Sequence, residues 1–91
     1  MDENPLVTII TPTYNRAAFL PQAIDGVLAQ TYGNFELIIV DDGSTDRTLE
    51  IASSFEHPHC TVISQENQGA CAAKNRCLEL ATGEFVKFYG D

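Results

Sequence analysis

Two adjacent carboxylates, Asp41 and Asp42, close the most strand-like run of the chain, Leu37-Ile38-Ile39-Val40, and lead into Gly43-Ser44-Thr45-Asp46. An earlier β-branched run over 6–11 stops at Pro12 and opens into Thr13, Tyr14, Asn15 and Arg16. A carboxylate accepts hydrogen bonds from the N–H of a heterocycle or from sugar hydroxyls, and a ring such as Tyr14 stacks on a flat base. Together they suit a nucleoside. A plainer reading stands beside this one: acids at a turn also favour the N-terminus of a following helix. Ser44 or Thr45 can supply that cap, which leaves two acids at one strand end unexplained by capping. Asp46 leans toward the helix role.

Other chemistries lack their residues. No G-x-G-x-x-G follows the first strand, which disfavours a dinucleotide pyrophosphate site, and no G-x-x-x-x-G-K-[ST] cradle is present. There is no G-x-S-x-G elbow and no ordered Ser/His/Asp set. His57, His59 and Cys60 lack a fourth zinc ligand at usual spacing. Cys60, Cys71 and Cys77 are odd in number with no C-x-x-C pair, so reduced thiols are expected.

The elements that must position these residues alternate along the chain. After the strand over 6–11, apolar residues at Phe19, Leu20, Ala23, Ile24, Val27 and Leu28 mark one face of a helix over 18–30, with Pro21 in its first turn. The strand over 35–40 precedes a helix capped by Ser44 or Thr45 and running to Phe55, with Leu49, Ala52 and Phe55 inward. A shorter strand follows over 60–64. Ala70, Ala73, Cys77, Leu78 and Ala81 mark a third helix with small inner residues, Gly83 suits a left-handed C-cap, and a fourth strand spans 84–89. Phe19, Phe35, Phe55, Phe85 and Phe88 are expected in the core.

The order β-α-β-α-β-α-β predicts an α/β fold, a Rossmann-like mostly parallel sheet with flanking helices and right-handed crossovers. Ligands of such sheets bind outside the carboxyl ends of the strands, which nominates the loops 12–16, 41–46 and 65–69 and the pair Gly90-Asp91. A chain of 91 residues stopping on Gly90-Asp91 is expected to be the front part of a longer protein. As such it could self-associate through an exposed edge.

Five basic residues face thirteen acidic ones, for a formal charge of -8. Nucleic-acid backbone and anionic membrane surfaces need clustered Lys and Arg, so both are disfavoured. A phosphate ligand needs a cation or aimed backbone N–H groups to offset the acids. No run approaches the roughly 20 apolar residues of a membrane span, and the acidic N-terminus lacks a signal core. A cytoplasmic setting is expected.

Three blocks spread over almost the whole chain resemble family 2 glycosyltransferases of the GT-A fold. They are Val7-Thr8-Ile9-Ile10-Thr11-Pro12-Thr13-Tyr14-Asn15-Arg16; then Phe35-Glu36-Leu37-Ile38-Ile39-Val40-Asp41-Asp42-Gly43-Ser44-Thr45-Asp46; and Glu66-Asn67-Gln68-Gly69 with Ala73-Lys74-Asn75-Arg76 and Ala81-Thr82-Gly83-Glu84-Phe85. The resemblance implies a nucleotide-diphospho-sugar donor, most often a UDP-sugar, and transfer to an acceptor hydroxyl with inversion. It implies a divalent cation, Mg2+ or Mn2+, and a carbohydrate or lipid-linked acceptor.

By the same resemblance, Pro12 and Tyr14 lie along the base, Asp42 reads it with Asp41 beside it, and Asp91 falls in the D-x-D region that touches ribose and metal. Gly90 stands where that pattern has its first Asp, so the main metal ligand is expected beyond residue 91; the resemblance also puts the catalytic base downstream, and the chain alone is expected to be inactive. Weaker candidates carry plainer readings too. Thr13 lines the same turn, Arg16 suits a surface cation, Gly69 a backbone turn, and Lys74, with Arg76, a solvated helix face. Tyr14 could pack with its hydroxyl in water, and Asn15 could close its own turn. The competing class is a non-catalytic doubly wound module, such as a receiver, but that needs an Asp at the end of the third strand, where Ile63-Ser64-Gln65 stands.

Overall fold

A computed structural model of the chain describes residues 5–29, 34–54 and 60–88. Its elements run β1 (Val7–Thr13), α1 (Leu20–Leu28), β2 (Phe35–Asp42), α2 (Thr48–Ser54), β3 (Cys60–Gln65), α3 (Ala70–Leu80) and β4 (Phe85–Phe88). The four strands form one sheet in the order β3-β2-β1-β4, and every pairing is parallel. The Rossmann-like arrangement expected from the sequence is therefore the one observed.

Strand alternation divides the core. Odd-numbered Ile9, Leu37 and Ile39 meet Leu20, Ile24 and Val27 of α1 and Ala52 of α2 on one face. Even-numbered Ile10, Ile38 and Val40 meet Ala73 and Cys77 of α3 on the other. Burying each large aliphatic side chain contributes about 1.5–3 kcal/mol, so both layers are held mainly by β1 and β2. Small residues at positions 73 and 77 let α3 lie close to the sheet. Burial pushes the Cys77 thiol up to about 11, consistent with an inert packing role.

Some elements depart from their sequence reading. Helix α2 begins at Thr48, and neither Ser44 nor Thr45 caps it: Asp46 Oδ1 accepts the Thr48 N–H at 2.9 Å. Gly83 is not a left-handed cap, because α3 ends through an extended Ala81 and Gly83 has no positive φ. Its role is close approach. A Cβ there would lie 2.6 Å from Thr8 Oγ1 and 2.7 Å from the Leu6 carbonyl. Phe85 and Phe88, expected in the core, are 59% and 50% exposed on β4 at the sheet edge. Ala70 and Leu78 are also exposed, whereas Phe35 is buried and Phe19 half-buried. Phe55, His57 and His59 lie outside the described residues.

One polar cluster joins the amino end of the sheet to the α3–β4 turn. Glu36 Oε2 accepts from Thr8 Oγ1 at 2.5 Å, Thr82 N at 2.7 Å and Thr82 Oγ1 at 2.8 Å. The Gly83 N–H donates to Thr8 Oγ1 at 2.8 Å, closing the cluster. Burial opposes the Glu36 charge, but the bonds from Thr8 and Thr82 outweigh it and hold its pKa below the ordinary value.

Candidate functional site

The two strand-end acids part company. β2 continues through Asp42, so the alternation that divides the core sends Asp41 and Asp42 to opposite faces. Asp41, 1% exposed, lies with the odd-numbered set. Its carboxylate accepts from the Ser44 hydroxyl and, at 3.2 Å, from the Ser44 N–H. Asp42, 3% exposed, turns to the α3 face. The sequence reading set the two acids side by side at one ligand; the cleft described below is lined by Asp42 and not by Asp41.

Asp42 gathers donors from the loop between β3 and α3. Oδ1 accepts from Gln65 Nε2 at 2.8 Å and the Gln68 N–H at 2.9 Å. Oδ2 accepts from the Gly69 N–H at 2.9 Å and Asn67 Nδ2 at 3.3 Å. Asn67 Nδ2 also donates to the Asp42 carbonyl at 3.0 Å. Gln65 stands opposite Asp42 in the β2–β3 register, which places its amide there. Gly69 is the N-cap residue of α3 with φ 103°, a conformation that costs glycine little and leaves its N–H aimed at the acid. Burial works against the Asp42 charge, but the donors from Gln65, Gln68 and Gly69 prevail and lower its pKa. The positive end of α3 acts in the same sense.

An open cleft of about 350 Å³ lies at the carboxyl edge, where the strand order reverses between β1 and β4. Pro12, Thr13, Tyr14 and Arg16 line it from the loop after β1, and Asp42 from the end of β2. Asn67, Gly69, Ala70 and Ala73 line the α3 side, and Phe88 closes the β4 side. Tyr14 is 42% exposed, a ring presented rather than packed away. Lys74 is not in the lining; its Nζ lies 5.4 Å from the centroid of the Phe88 ring, which is. The cleft thus joins Pro12, Tyr14 and Asp42 with the weaker candidates Thr13, Arg16 and Gly69. Asp91 lies outside the described residues.

Sequence reading missed how the first loop is held. Asn15 adopts φ 51°, and its Oδ1 accepts from the N–H groups of Thr45 at 2.8 Å and Asp46 at 3.3 Å. It ties two loops together rather than closing its own turn. The Asn15 N–H donates to Ser44 Oγ at 2.9 Å, the Arg16 N–H to Thr48 Oγ1 at 2.8 Å, and the Ala17 N–H to Asp46 Oδ2 at 3.3 Å. Asp46 also accepts from the Thr48 hydroxyl, the leading cause of its lowered pKa. The available signal was the density of short polar residues, Ser44, Thr45, Asp46 and Thr48, each able to bond a neighbouring backbone.

The described residues do not fit a divalent cation. Among them, no three His, Cys, Asp or Glu side chains cluster as metal ligands. The oxygens of Asp41 and Asp42 already accept from N–H and O–H donors. Among the described residues no helix is long and apolar enough to cross a membrane.

A family model described as Glycosyl transferase family 2 matches residues 8–91. A PGL/p-HBAD biosynthesis glycosyltransferase of Mycobacterium tuberculosis is 44% identical over 89 residues, covering 94% of this chain and 35% of that protein. The putative colanic acid biosynthesis glycosyl transferase WcaA of Escherichia coli is 42% identical over 89 residues, covering 94% and 32%. The chain therefore spans about a third of the length of these curated relatives. Among solved structures, S. aureus TarS 1-349 in complex with UDP superposes with a TM-score of 0.86 at 31% identity, over 92% of this chain and 26% of that one. A mannosyltransferase, PcManGT from Pyrobaculum calidifontis, in complex with GDP-Man and Mn2+, gives 0.81 at 36% identity, over 91% and 26%.

Proposed function

The chain belongs to glycosyl transferase family 2, and from that membership we propose that residues 1–91 form the donor-nucleotide part of a GT-A enzyme. That enzyme transfers a sugar from a nucleotide-diphospho-sugar, with inversion, to a hydroxyl of a carbohydrate or lipid-linked acceptor in the cytoplasm. The observation that carries the reading is the cleft itself: an exposed aromatic, Tyr14, and a buried carboxylate, Asp42, line one space at the strand-order reversal. Relatives with this sheet have been solved with UDP and with GDP-Man, which supports a nucleotide-sugar donor.

The chemistry follows from what each group can exchange. Tyr14 offers a face on which a base stacks, with Pro12 beside it. Asp42 has all its near donors satisfied, but they are not equally committed. The bond from Asn67 Nδ2 is the longest at 3.3 Å, and that amide already has the Asp42 carbonyl at 3.0 Å. A base N–H can therefore take Asp42 Oδ2 at small cost, while Gln65, Gln68 and Gly69 keep the carboxylate charged and oriented. One N–H received by one oxygen suits the imide edge of uracil, which supports UDP as the donor nucleotide. Arg16 at the rim supplies positive charge in an acidic chain.

A divalent cation, if bound, would supply positive charge against the donor diphosphate. Its ligands must come from outside the described residues, with Asp91 the candidate there and for the ribose. The matched third of the relatives' length leaves the acceptor site and catalytic base to other residues, so residues 1–91 alone are proposed to be inactive.

Titration calorimetry of the intact protein with UDP tests the reading. Asp42→Ala should weaken UDP by about 100-fold, the scale of a lost charge-assisted hydrogen bond. Unchanged affinity in that variant rules out the base-reading role.

A further inference from the structure

We propose that Asp41 is a positioning residue: through the Ser44 hydroxyl it sets the loop that presents Tyr14 to the nucleotide. This rests on the reading that Tyr14 stacks on the base. The geometry is a three-part relay. Asp41 is buried and its carboxylate accepts the Ser44 hydroxyl proton. Ser44 Oγ in turn accepts the Asn15 N–H at 2.9 Å. A carboxylate can only accept, and a hydroxyl has one proton to give. Asp41 therefore commits that proton, and a lone pair of Ser44 is what faces the Asn15 N–H.

That N–H belongs to the peptide unit between Tyr14 and Asn15. Fixing its direction fixes the plane from which the Tyr14 side chain departs. The position needs fixing, because Asn15 sits at φ 51°, a left-handed conformation that asparagine tolerates better than most residues but that does not hold itself as an extended strand does. Tyr14 itself is too exposed to be held by packing. A second relay of the same design follows it. The Thr48 hydroxyl donates to Asp46 and accepts the Arg16 N–H at 2.8 Å. Both relays read polarity in the same direction, from acid through hydroxyl to main-chain amide. The first of the paired acids thus serves the site from the opposite face of the sheet, as the support of the ring rather than as a second ligand contact.

The test is a double-mutant cycle on UDP affinity, measured by calorimetry on the intact protein. Asp41→Asn is nearly isosteric but its amide can donate to Ser44, which reverses the relay; it should weaken UDP about five- to tenfold. Ser44→Ala should match it, which covers the case that Asp41→Asn folds poorly, and Ser44→Thr, which keeps the hydroxyl, should recover to within about twofold. In a Tyr14→Ala background, both Asp41→Asn and Ser44→Ala should weaken UDP by less than about twofold, because the group they position is gone. A loss of the same size with and without Tyr14 overturns the proposal. Full affinity in Asp41→Asn and Ser44→Ala also overturns it, while leaving the nucleobase reading intact. Full affinity in Tyr14→Ala alone removes the stacking role and the proposal with it.

Discussion

Strand β2 carries a hydrogen-bonded carboxylate near each end, Glu36 and Asp42, both on the face covered by α3. Glu36 accepts from side chains and backbone at the start of the sheet and in the α3–β4 turn. Asp42 accepts from the loop that enters α3. Both pKa values are lowered in the face of burial, and for the same reason: donors aimed at the charged form. The difference lies in what surrounds the bonds. At the Glu36 end the donors belong to a packed turn in which even one added carbon meets Thr8 and Leu6. At the Asp42 end the donors leave one side facing the cleft, and one of them has a second acceptor to fall back on. One acid is a clasp, the other is proposed as a receptor, and the exchangeability of a single bond separates them.

The contrast can be broken most forcefully at Gly83. Gly83→Ala should lower stability by about 3 kcal/mol, because its Cβ would overlap main-chain and side-chain atoms that cannot all yield. Urea denaturation measures it, and a change under 0.5 kcal/mol would show that the clasp is loose. Next comes Glu36→Gln, which keeps shape but removes charge. It should cost about 1–2 kcal/mol of stability while UDP affinity stays within about twofold of wild type. A larger loss of affinity would mean that the two ends are not separate.

Acid should act on both ends together. The stability contributed by Glu36 and Asp42 is complete above their unfolded values near pH 4 and falls as pH drops through their lower folded values. Denaturation midpoints taken stepwise from pH 7 to pH 3 should therefore decline, and Glu36→Gln should decline less. An identical decline in that variant would remove Glu36 from the account. The smallest effect is expected at Lys74→Ala: the contact over Phe88 is exposed and contributes about 0.5 kcal/mol, and UDP affinity should change by less than about threefold. A tenfold loss would sharpen the contrast instead, by showing that Lys74 leaves Phe88 for the diphosphate.

Element order and parallel pairing were legible because β-branched runs and helical spacing alternate along the chain without ambiguity. The location of the cleft was legible too, since ligand sites in such sheets follow from topology. The placement of Asp41 and Asp42 on opposite faces was written in the period of two residues along a strand, but only once β2 is extended through Asp42. Read as a turn, the pair looks like one feature. The relays were hidden because they depend on the left-handed turn at Asn15 and on contacts between loops 29 or more residues apart. Asp46, not Ser44, meets the first N–H of α2 because that helix starts only at Thr48. The clasp offered a fainter signal: Thr8 and Glu36 are register partners, two polar residues facing each other inside otherwise apolar strands. Phe85 and Phe88 misled because exposure on an edge strand depends on neighbours that local pattern does not name.

The tie between Gly83 and Thr8 spans 75 positions of sequence. Closing so long a loop is slow, and β4 gains little burial of its own on arrival. The first three strands can therefore assemble during synthesis while the fourth is still unplaced, and the Thr82-Gly83 turn then serves as the latch that seats it in register. Amide hydrogens of β4 should exchange first in the folded protein, well ahead of those in β2.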